Sequence, residues 1–258
     1  MKRVLTVLTA MLLTACGGSS PSTASTSTPS PDNVAGTINV FAAASLTAAF
    51  KDEGMAFQAK HPKASVVFNF AGSASLVTSI NNGAPADVFA SADLPNMQKV
   101  VAAGNTVSQP VNFASNELQI VVPAGNPKGI KGLADLVSPG TVVILCAPAV
   151  PCGNYANQAL AKAGVKVTPK SQEQDVNAVV SKVSLGEADA GIVYVTDVKA
   201  AGGKVQGVPI PDAQNVAALY PIATVKGGFN QKGGQAFIDF LLSAPGQSKL
   251  ANYGFKKP

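Results

Sequence analysis

The chain lacks most of the side chains that proteins use to recognise anions through formal charge or to perform catalysis. Of its 258 residues only 13% are charged, one is a histidine and none is a tryptophan. Its only arginine is Arg3, so a guanidinium fork for phosphate or carboxylate is missing from the rest of the chain. The lysines are dispersed and aromatic residues make up 6%, a composition that argues against nucleic-acid binding. The lone histidine, His61, belongs to no cluster with metal-ligand spacing, which argues against a metal site.

The N-terminal segment is typical of a secreted protein. Lys2 and Arg3 precede an apolar stretch, which predicts a signal peptide over residues 1–15. Leu13-Thr14-Ala15-Cys16 resembles the lipobox of bacterial lipoproteins, so we expect Cys16 to carry lipid on the outer face of the cytoplasmic membrane. The alternative is an ordinary signal peptide with an incidental cysteine. Residues 16–36 are mostly Ser, Thr, Pro, Gly and Ala and predict a flexible leash.

The remaining residues, from about Thr37, alternate between strand-like and helix-like patterns. Residues 37–41, 65–70 and 87–90 predict strands, each followed by a segment with helical spacing of its apolar residues. Further strands are predicted at 117–122, 141–145 and 190–194, with helices at about 153–163, 176–185 and 235–242. This alternation predicts an α/β protein with mixed, mainly parallel sheets flanked by helices. Its length suits two modest lobes.

Two of the predicted strand-to-helix turns are rich in small residues and serine. Ala42-Ala-Ala-Ser45 follows the first strand, and Ala71-Gly72-Ser73 follows the second. Ligands of open α/β sheets bind beyond the carboxyl ends of strands, so both serines are candidate ligand contacts. The alternative is that each serine only caps its own helix.

Six segments occur in an order that is similar to one known family. They are Val40-Phe-Ala-Ala-Ala-Ser-Leu46, Phe70-Ala-Gly-Ser-Ala-Ser-Leu76, Gly83-Ala-Pro-Ala-Asp-Val-Phe-Ala-Ser-Ala-Asp93, Pro151-Cys-Gly-Asn-Tyr155, Glu173-Gln-Asp-Val176 and Gly191-Ile-Val-Tyr194. Over about residues 37–256 the chain resembles the molybdate-binding proteins that serve ABC importers. The resemblance implies a two-lobed periplasmic-binding-protein (type II) fold with the ligand in the interlobe cleft. Lobe one would comprise residues 37–120 and 221–258, and lobe two residues 121–220, with hinges near 117–121 and 219–221.

The resemblance also implies a set of ligand contacts and no catalytic residue. Ser45 and Ser73 would each supply a hydroxyl and a backbone N–H, Cys152 and Val176 a backbone N–H, and Tyr194 its hydroxyl. Cys152 departs from the small, alanine-like residue that is common in the family. The ligand would be molybdate or tungstate, and molybdenum would be bound only as the oxyanion, with no direct metal ligand and no cofactor.

The chemistry of these groups suits a tetrahedral dianion. Serine, tyrosine and backbone amides all donate hydrogen bonds, and helix N-termini add partial positive charge without a formal cation. Asp175 is expected to cap the helix that begins at Val176. A cage of fixed donors also discriminates by size, because a smaller anion leaves buried donors poorly paired.

Cys146 and Cys152 lie six positions apart across a proline-containing loop. Outside the cytoplasm they either remain free or form a disulfide, and we expect the disulfide. A bridge at Cys152 would stiffen a loop that the resemblance places at the ligand.

The same residues allow two other functions to be considered. An envelope enzyme with Ser45, Ser73 or Cys152 as nucleophile would need a nearby activating base, and none is evident. The same fold binding another tetrahedral oxyanion, such as sulfate, is the main alternative. The expected partners are the oxyanion and a transmembrane permease with its ATPase; the protein is expected to be a monomer that meets the membrane only through its lipid.

Overall fold

The computed structural model describes residues 34–258, and the predicted signal peptide, Cys16 and most of the leash lie outside the described residues. The strands are β1 (Gly36–Ala43), β2 (Ala64–Ala71), β3 (Val88–Ala90), β4 (Val111–Asn116), β5 (Leu118–Pro123), β6 (Val143–Cys146), β7 (Ser171–Glu173), β8 (Ala190–Tyr194), β9 (Val205–Pro209) and β10 (Ala218–Thr224). The α-helices are α1 (Thr47–Lys60), α2 (Ser73–Asn81), α3 (Leu94–Ala102), α4 (Pro151–Lys162), α5 (Val176–Ser184), α6 (Val195–Ala201), α7 (Gln231–Leu242) and α8 (Ala244–Asn252). Short 3₁₀ helices occupy Ala44–Leu46 and Leu133–Val137.

The strands form two five-stranded sheets. The first has the order β2-β1-β3-β10-β4, and the second has the order β7-β6-β8-β5-β9. In the first sheet β1 pairs in parallel with β2 and β3, while β10 is antiparallel to β3 and β4. In the second sheet β6 pairs in parallel with β7 and β8, while β5 is antiparallel to β8 and β9. The expected mixed α/β sheets are confirmed, but they are not mainly parallel, because two of the four pairings in each sheet are antiparallel and all of these involve β5 or β10.

The chain passes between the sheets twice. It leaves the first sheet at Asn116, the end of β4, and enters the second at Leu118, the start of β5. It leaves the second sheet at Pro209 and returns to the first at Ala218. The predicted hinge segments 117–121 and 219–221 therefore overlap the starts of β5 and β10.

The two sheets are stabilised by different side chains. Around the first sheet, Phe50 lies with its ring centroid 5.7 Å from that of Phe113 and 5.9 Å from that of Phe237. The second sheet is packed mainly with aliphatic residues, and every residue of β8 is buried. A strand buried on both faces reads as a continuous apolar run, which is why β8 was predictable from the sequence.

Local signals account for several helix boundaries. Asp93 caps α3 by accepting a hydrogen bond from the Asn96 N–H at 3.0 Å, and α3 has a proline in its first turn. Helix α6 ends at Ala201, and its C-cap, Gly202, adopts the left-handed conformation with φ of 61°. Within residues 34–258, no helix has the length and apolar character needed to cross a membrane.

Candidate functional site

A small cavity lies where the parallel strands of both sheets end. The parallel strands of the first sheet end at Ala43, Ala71 and Ala90, and those of the second at Cys146, Glu173 and Tyr194. The cavity measures about 10 Å³, close to the space that one water molecule needs, so it is too small for an organic metabolite. Its lining consists of Ala43, Ala44, Ser45, Gly72, Ser73, Ala92, Val150, Pro151, Cys152, Val176 and Tyr194. All five residues predicted to contact a ligand are in this set.

The two serines contribute hydroxyl groups to the cavity from the side of the first sheet. Ser45 lies in the 3₁₀ helix before α1, and its Oγ is 2.9 Å from the Tyr220 hydroxyl oxygen. Ser73 is the first residue of α2, and its Oγ accepts a hydrogen bond from the Ala92 N–H at 3.1 Å. Because that oxygen already accepts, the Ser73 hydrogen is free to point at a ligand. The alternative that these serines only cap their helices is wrong, since neither helix has a side-chain cap in the described structure.

Helix α4 brings Cys152 to the cavity from the side of the second sheet. The helix begins at Pro151, two residues before its predicted start, so Cys152 is in the first turn. Its N-cap, Val150, offers no side-chain acceptor within the described part of the chain, which leaves first-turn amides for a ligand. The Cys152 sulfur is bonded to that of Cys146, with the two Cα atoms 5.8 Å apart. The disulfide ties the first turn of α4 to the end of β6.

Helix α5 begins at the cavity with Val176. Its N-cap is Asp175, as predicted, and the carboxylate accepts a hydrogen bond from the Ala178 N–H at 3.0 Å. The preceding residue approaches the turn after β2 closely: a Cβ atom added to Gly72 would lie 2.1 Å from the Gln174 carbonyl oxygen. Asn177 also donates a hydrogen bond to the Ala44 carbonyl at 3.2 Å. The two halves of the cavity wall are thus in direct contact.

Tyr194 ends β8 and holds the one unpartnered hydroxyl of the site. The residue is 1% exposed, and its hydroxyl oxygen has no hydrogen-bond partner within residues 34–258. Burial raises the pKa of this hydroxyl well above its ordinary value, with Tyr220 and Tyr155 adding to the shift. The group therefore remains protonated at neutral pH and can donate.

Asp197 is the carboxyl group that contacts the backbone of Tyr194. One of its carboxylate oxygens accepts a hydrogen bond from the Tyr194 N–H at 2.9 Å. Burial raises the pKa of Asp197 to about 7. The side chain does not line the cavity, so it orients Tyr194 without presenting an acceptor to a ligand.

Sequence reasoning did not find three residues that support the site. Ala92 supplies the amide that binds Ser73, and it lies within the Gly83–Asp93 segment that was noted only for its resemblance. Tyr220 contacts Ser45, and Asn116 in turn donates to the Tyr220 hydroxyl at 3.4 Å. Asn116 and Tyr220 are 104 positions apart, so no local pattern could have joined them.

The chemistry of the cavity is that of an anion site. Hydroxyl groups and helix N-termini converge on it, and its lining residues within the described chain include no carboxylate, histidine or lysine. The described residues also contain no group of three or more histidine, cysteine, aspartate or glutamate side chains able to hold a metal ion. An uncharged donor cage can hold a small oxyanion and has no base with which to activate a nucleophile.

Comparison with known proteins agrees with this geometry. The chain is 43% identical over 246 residues to the molybdate-binding protein ModA of Mycobacterium tuberculosis, a match that spans 95% of this chain and 93% of that protein. It is 33% identical over 231 residues to ModA of Escherichia coli, which spans 85% of this chain and 89% of that protein. The solved structure of the sulfate-binding protein SubI from M. tuberculosis shares the fold, with a TM-score of 0.76, 24% identity and 86% of each chain covered. Residues 38–256 match the model of one family, and the chain belongs to that family, the bacterial extracellular solute-binding proteins.

Proposed function

We propose that this protein captures molybdate, and also tungstate, outside the cytoplasm and delivers it to an ABC importer. The observation that carries the proposal is the Tyr194 hydroxyl, a buried donor without a partner in the described structure that lines a cavity of other donors. An unpaired buried hydroxyl costs about 1–3 kcal/mol, and an oxyanion in the cavity would remove that cost. The relatives of highest identity described above are molybdate-binding proteins.

The proposed contacts are those of Ser45, Ser73, Cys152, Val176 and Tyr194. The serines and the tyrosine would donate through their hydroxyls, and the first turns of α2, α4 and α5 would add backbone amides. Each helix N-terminus contributes roughly half a positive charge, so three of them oppose most of a dianion's charge. This is how a chain whose only arginine is Arg3 would hold such an ion.

Selectivity in the proposal follows from the fixed positions of the donors. Molybdate and tungstate are similar in size and charge, whereas sulfate is smaller. A cage set for the larger ion leaves sulfate with stretched hydrogen bonds, and each poorly paired donor costs about 1–3 kcal/mol. Sulfate is the second candidate because a sulfate-binding protein shares the fold.

In the cell envelope the protein would bind the anion between its two lobes and deliver it to a membrane permease. Lobe one (37–120 and 221–258) and lobe two (121–220) would close on the anion, with hinges where the chain changes sheet. Lipid on Cys16 would anchor the protein as a monomer near the permease, and the partner ATPase would power transport. The protein would have no catalytic activity, since the described lining of the cavity has no base and Cys152 is in a disulfide.

Calorimetric titration tests the proposal. The full chain, purified in a mild detergent and freed of bound oxyanion by dialysis, is titrated with molybdate, tungstate, sulfate and phosphate. We expect one-to-one binding of the first two, with sulfate weaker by about a hundredfold, or about 2.7 kcal/mol. Sulfate binding of equal or greater strength would establish the second candidate, and no binding of any of the four would refute the anion site.

A further inference from the structure

A buried chain of hydrogen bonds leads away from the cavity behind Ser45. Its Oγ contacts the Tyr220 hydroxyl at 2.9 Å, and the Asn116 side-chain nitrogen donates to that same hydroxyl at 3.4 Å. The Asn116 nitrogen also donates to the Thr196 Oγ at 2.8 Å. All four residues are buried, with Tyr220 at 0% exposure and Asn116 at 1%.

The orientation of the Asn116 amide is fixed by its other end. The Asn116 side-chain oxygen accepts a hydrogen bond from the Glu117 backbone N–H at 2.9 Å. A backbone N–H can only donate, so the oxygen must face it and the nitrogen must face Tyr220. The side-chain nitrogen of Asn116 can only donate hydrogen bonds, so the Tyr220 oxygen accepts one from it.

This arrangement determines which way the hydrogen atom of Tyr220 points. The hydroxyl has a single hydrogen, and burial raises its pKa above the ordinary value, so it is retained. The acceptor in contact with it within residues 34–258 is the Ser45 oxygen. A buried hydroxyl hydrogen without an acceptor is costly, so Tyr220 donates to Ser45. The Ser45 oxygen then accepts, and its own hydrogen is left to point into the cavity.

We propose that Asn116 and Tyr220 are positioning residues that fix Ser45 as a hydrogen-bond donor to the ligand, and that they thereby maintain the donor-only arrangement of the site. The inference rests on the proposed function and adds two residues that do not line the cavity. With Ser45 fixed by Tyr220 and Ser73 fixed by the Ala92 amide, the serines meet the ligand as donors. The hydroxyl of a hydrogen phosphate ion would find no acceptor there.

Asn116→Asp tests the direction of the hydrogen bonds that run from Asn116 through Tyr220 to Ser45, because aspartate and asparagine have nearly the same shape. The carboxylate can only accept, so Tyr220 would donate to it and Ser45 would donate to Tyr220, which turns the Ser45 lone pairs toward the anion. We expect the affinity for molybdate, relative to the unsubstituted protein at the same pH, to fall by about a hundredfold at about pH 8. Protonation of the buried carboxyl at about pH 5.5 restores a donor, so the relative loss should shrink to about tenfold or less. A loss that is the same at both pH values would indicate a merely structural role and overturn the inference.

Tyr220→Phe gives a second test that does not add a charge. The Ser45 oxygen loses its donor and becomes free to accept from a protonated ligand. We expect the affinity for molybdate to fall by about tenfold while the affinity for hydrogen phosphate relative to molybdate rises by about tenfold. Equal losses of affinity for the two ions would overturn the inference. If circular dichroism shows that Asn116→Asp does not fold, the result for Tyr220→Phe decides the question.

Tyr253→Phe is the matched control, because it also removes one tyrosine hydroxyl but from a contact with Asp52 away from the cavity. It should bind all anions as the unsubstituted protein does. If the unsubstituted protein binds none of the dianions, the proposed function fails. If it binds them and both Asn116→Asp and Tyr220→Phe keep its affinity and selectivity within about threefold, only the present inference fails.

Discussion

Replacing Tyr194 by phenylalanine should change stability and binding in opposite directions. In the ligand-free protein the Tyr194 hydroxyl is buried and unpaired within the described residues. Removal of a buried unpaired hydroxyl relieves its desolvation penalty, so Tyr194→Phe should be about 1–2 kcal/mol more stable than the unsubstituted protein. For a folded region of this size that corresponds to a rise in Tm of about 2–8 °C.

The same change should weaken the binding of molybdate. A hydrogen bond to a charged acceptor contributes about 1.5–3 kcal/mol, so the Kd should rise by about 10- to 150-fold. A ligand that binds only the folded state stabilises it by an amount that increases with the ratio of ligand concentration to Kd. Because the Kd of the variant is higher, added molybdate should raise its free energy of unfolding by less. The Tm of the variant should therefore lie above that of the unsubstituted protein without molybdate, and this difference should shrink at about 1 mM molybdate and reverse where the loss of about 1.5–3 kcal/mol in binding exceeds the gain of about 1–2 kcal/mol in stability.

Thermal unfolding followed by circular dichroism, with and without molybdate, measures both effects on one sample, and calorimetric titration gives the Kd. Tyr220→Phe is the comparison for stability, because Tyr220 is equally buried and its ring centroid is 5.9 Å from that of Tyr194, but its hydroxyl is hydrogen-bonded. That variant should be destabilised by about 1–3 kcal/mol, since Ser45 and Asn116 lose a partner. A Tyr194→Phe protein that is less stable without ligand and unchanged in Kd would show that the hydroxyl has no role in holding an anion.

Three further changes have expected outcomes of defined sign. Burial raises the pKa of Glu53 from 4.5 to about 8, so the folded state keeps a proton that the unfolded state releases, and stability should decrease as the pH rises between these values. Urea unfolding should show a slope that is smaller in Glu53→Gln by up to about 1.4 kcal/mol per pH unit, the remainder coming from groups such as Asp197, whose pKa is also raised; equal slopes in both proteins would contradict the assignment. Removing the disulfide with a Cys146→Ala, Cys152→Ala double variant should lower the free energy of unfolding by about 2 kcal/mol on the loop-entropy estimate, and an unchanged urea midpoint would count against it. Gly72→Ala should weaken molybdate binding by about tenfold or more, because its Cβ would meet a carbonyl oxygen of the facing wall at 2.1 Å and the two walls could not approach as closely; Gly132→Ala, whose Cβ would have no described atom within 4 Å apart from its chain neighbours, should bind normally, and equal affinities of the two variants would contradict this.

The elements that were predictable from the sequence are those whose signal is local. Strands β1, β2 and β8 are apolar runs bounded by turn residues, and Asp175 marks the start of α5 by its position alone. Strand β10 was not predicted because Pro221 interrupts it, and the register with β4 shifts between Tyr220 and Pro221 to accommodate the missing N–H.

Strands β4 and β9 were also not predicted, and both are edge strands of their sheets. Their sequences, VNFASN and VQGVP, have exposed polar positions and lack a continuous apolar run. Helix α6 was missed because it follows β8 without a loop, with Tyr194 serving both as the last strand residue and as the N-cap. Where two elements share a residue, no turn signal separates them.

The positions around the cavity have a different origin. Ser45 and Ser73 stood out as serines at strand ends, but Cys152, Val176 and Tyr194 were identified through a resemblance and not through periodicity. That all five line one cavity is a finding of the structure, and their contact with an anion remains a prediction. The network behind Ser45 joins β4, α6 and β10, so it exists only once the two sheets have come together.

The division of the donors between the two sheets bears on release as well as capture. Ser45 and Ser73 are held by elements of the first sheet, whereas Cys152, Val176 and Tyr194 are held by elements of the second. In the proposed function, separation of the two walls would leave the anion with only one of these sets. At about 1.5–3 kcal/mol for each hydrogen bond to a charged group, loss of even two donors weakens binding by roughly 3–6 kcal/mol, or about two to four orders of magnitude. A site built on arginine or lysine would keep much of its attraction at a distance, because charge–charge attraction falls slowly with separation. A site of uncharged donors therefore loses most of its affinity when its two walls separate, and that property suits a protein that must bind an ion tightly and then release it to a transporter.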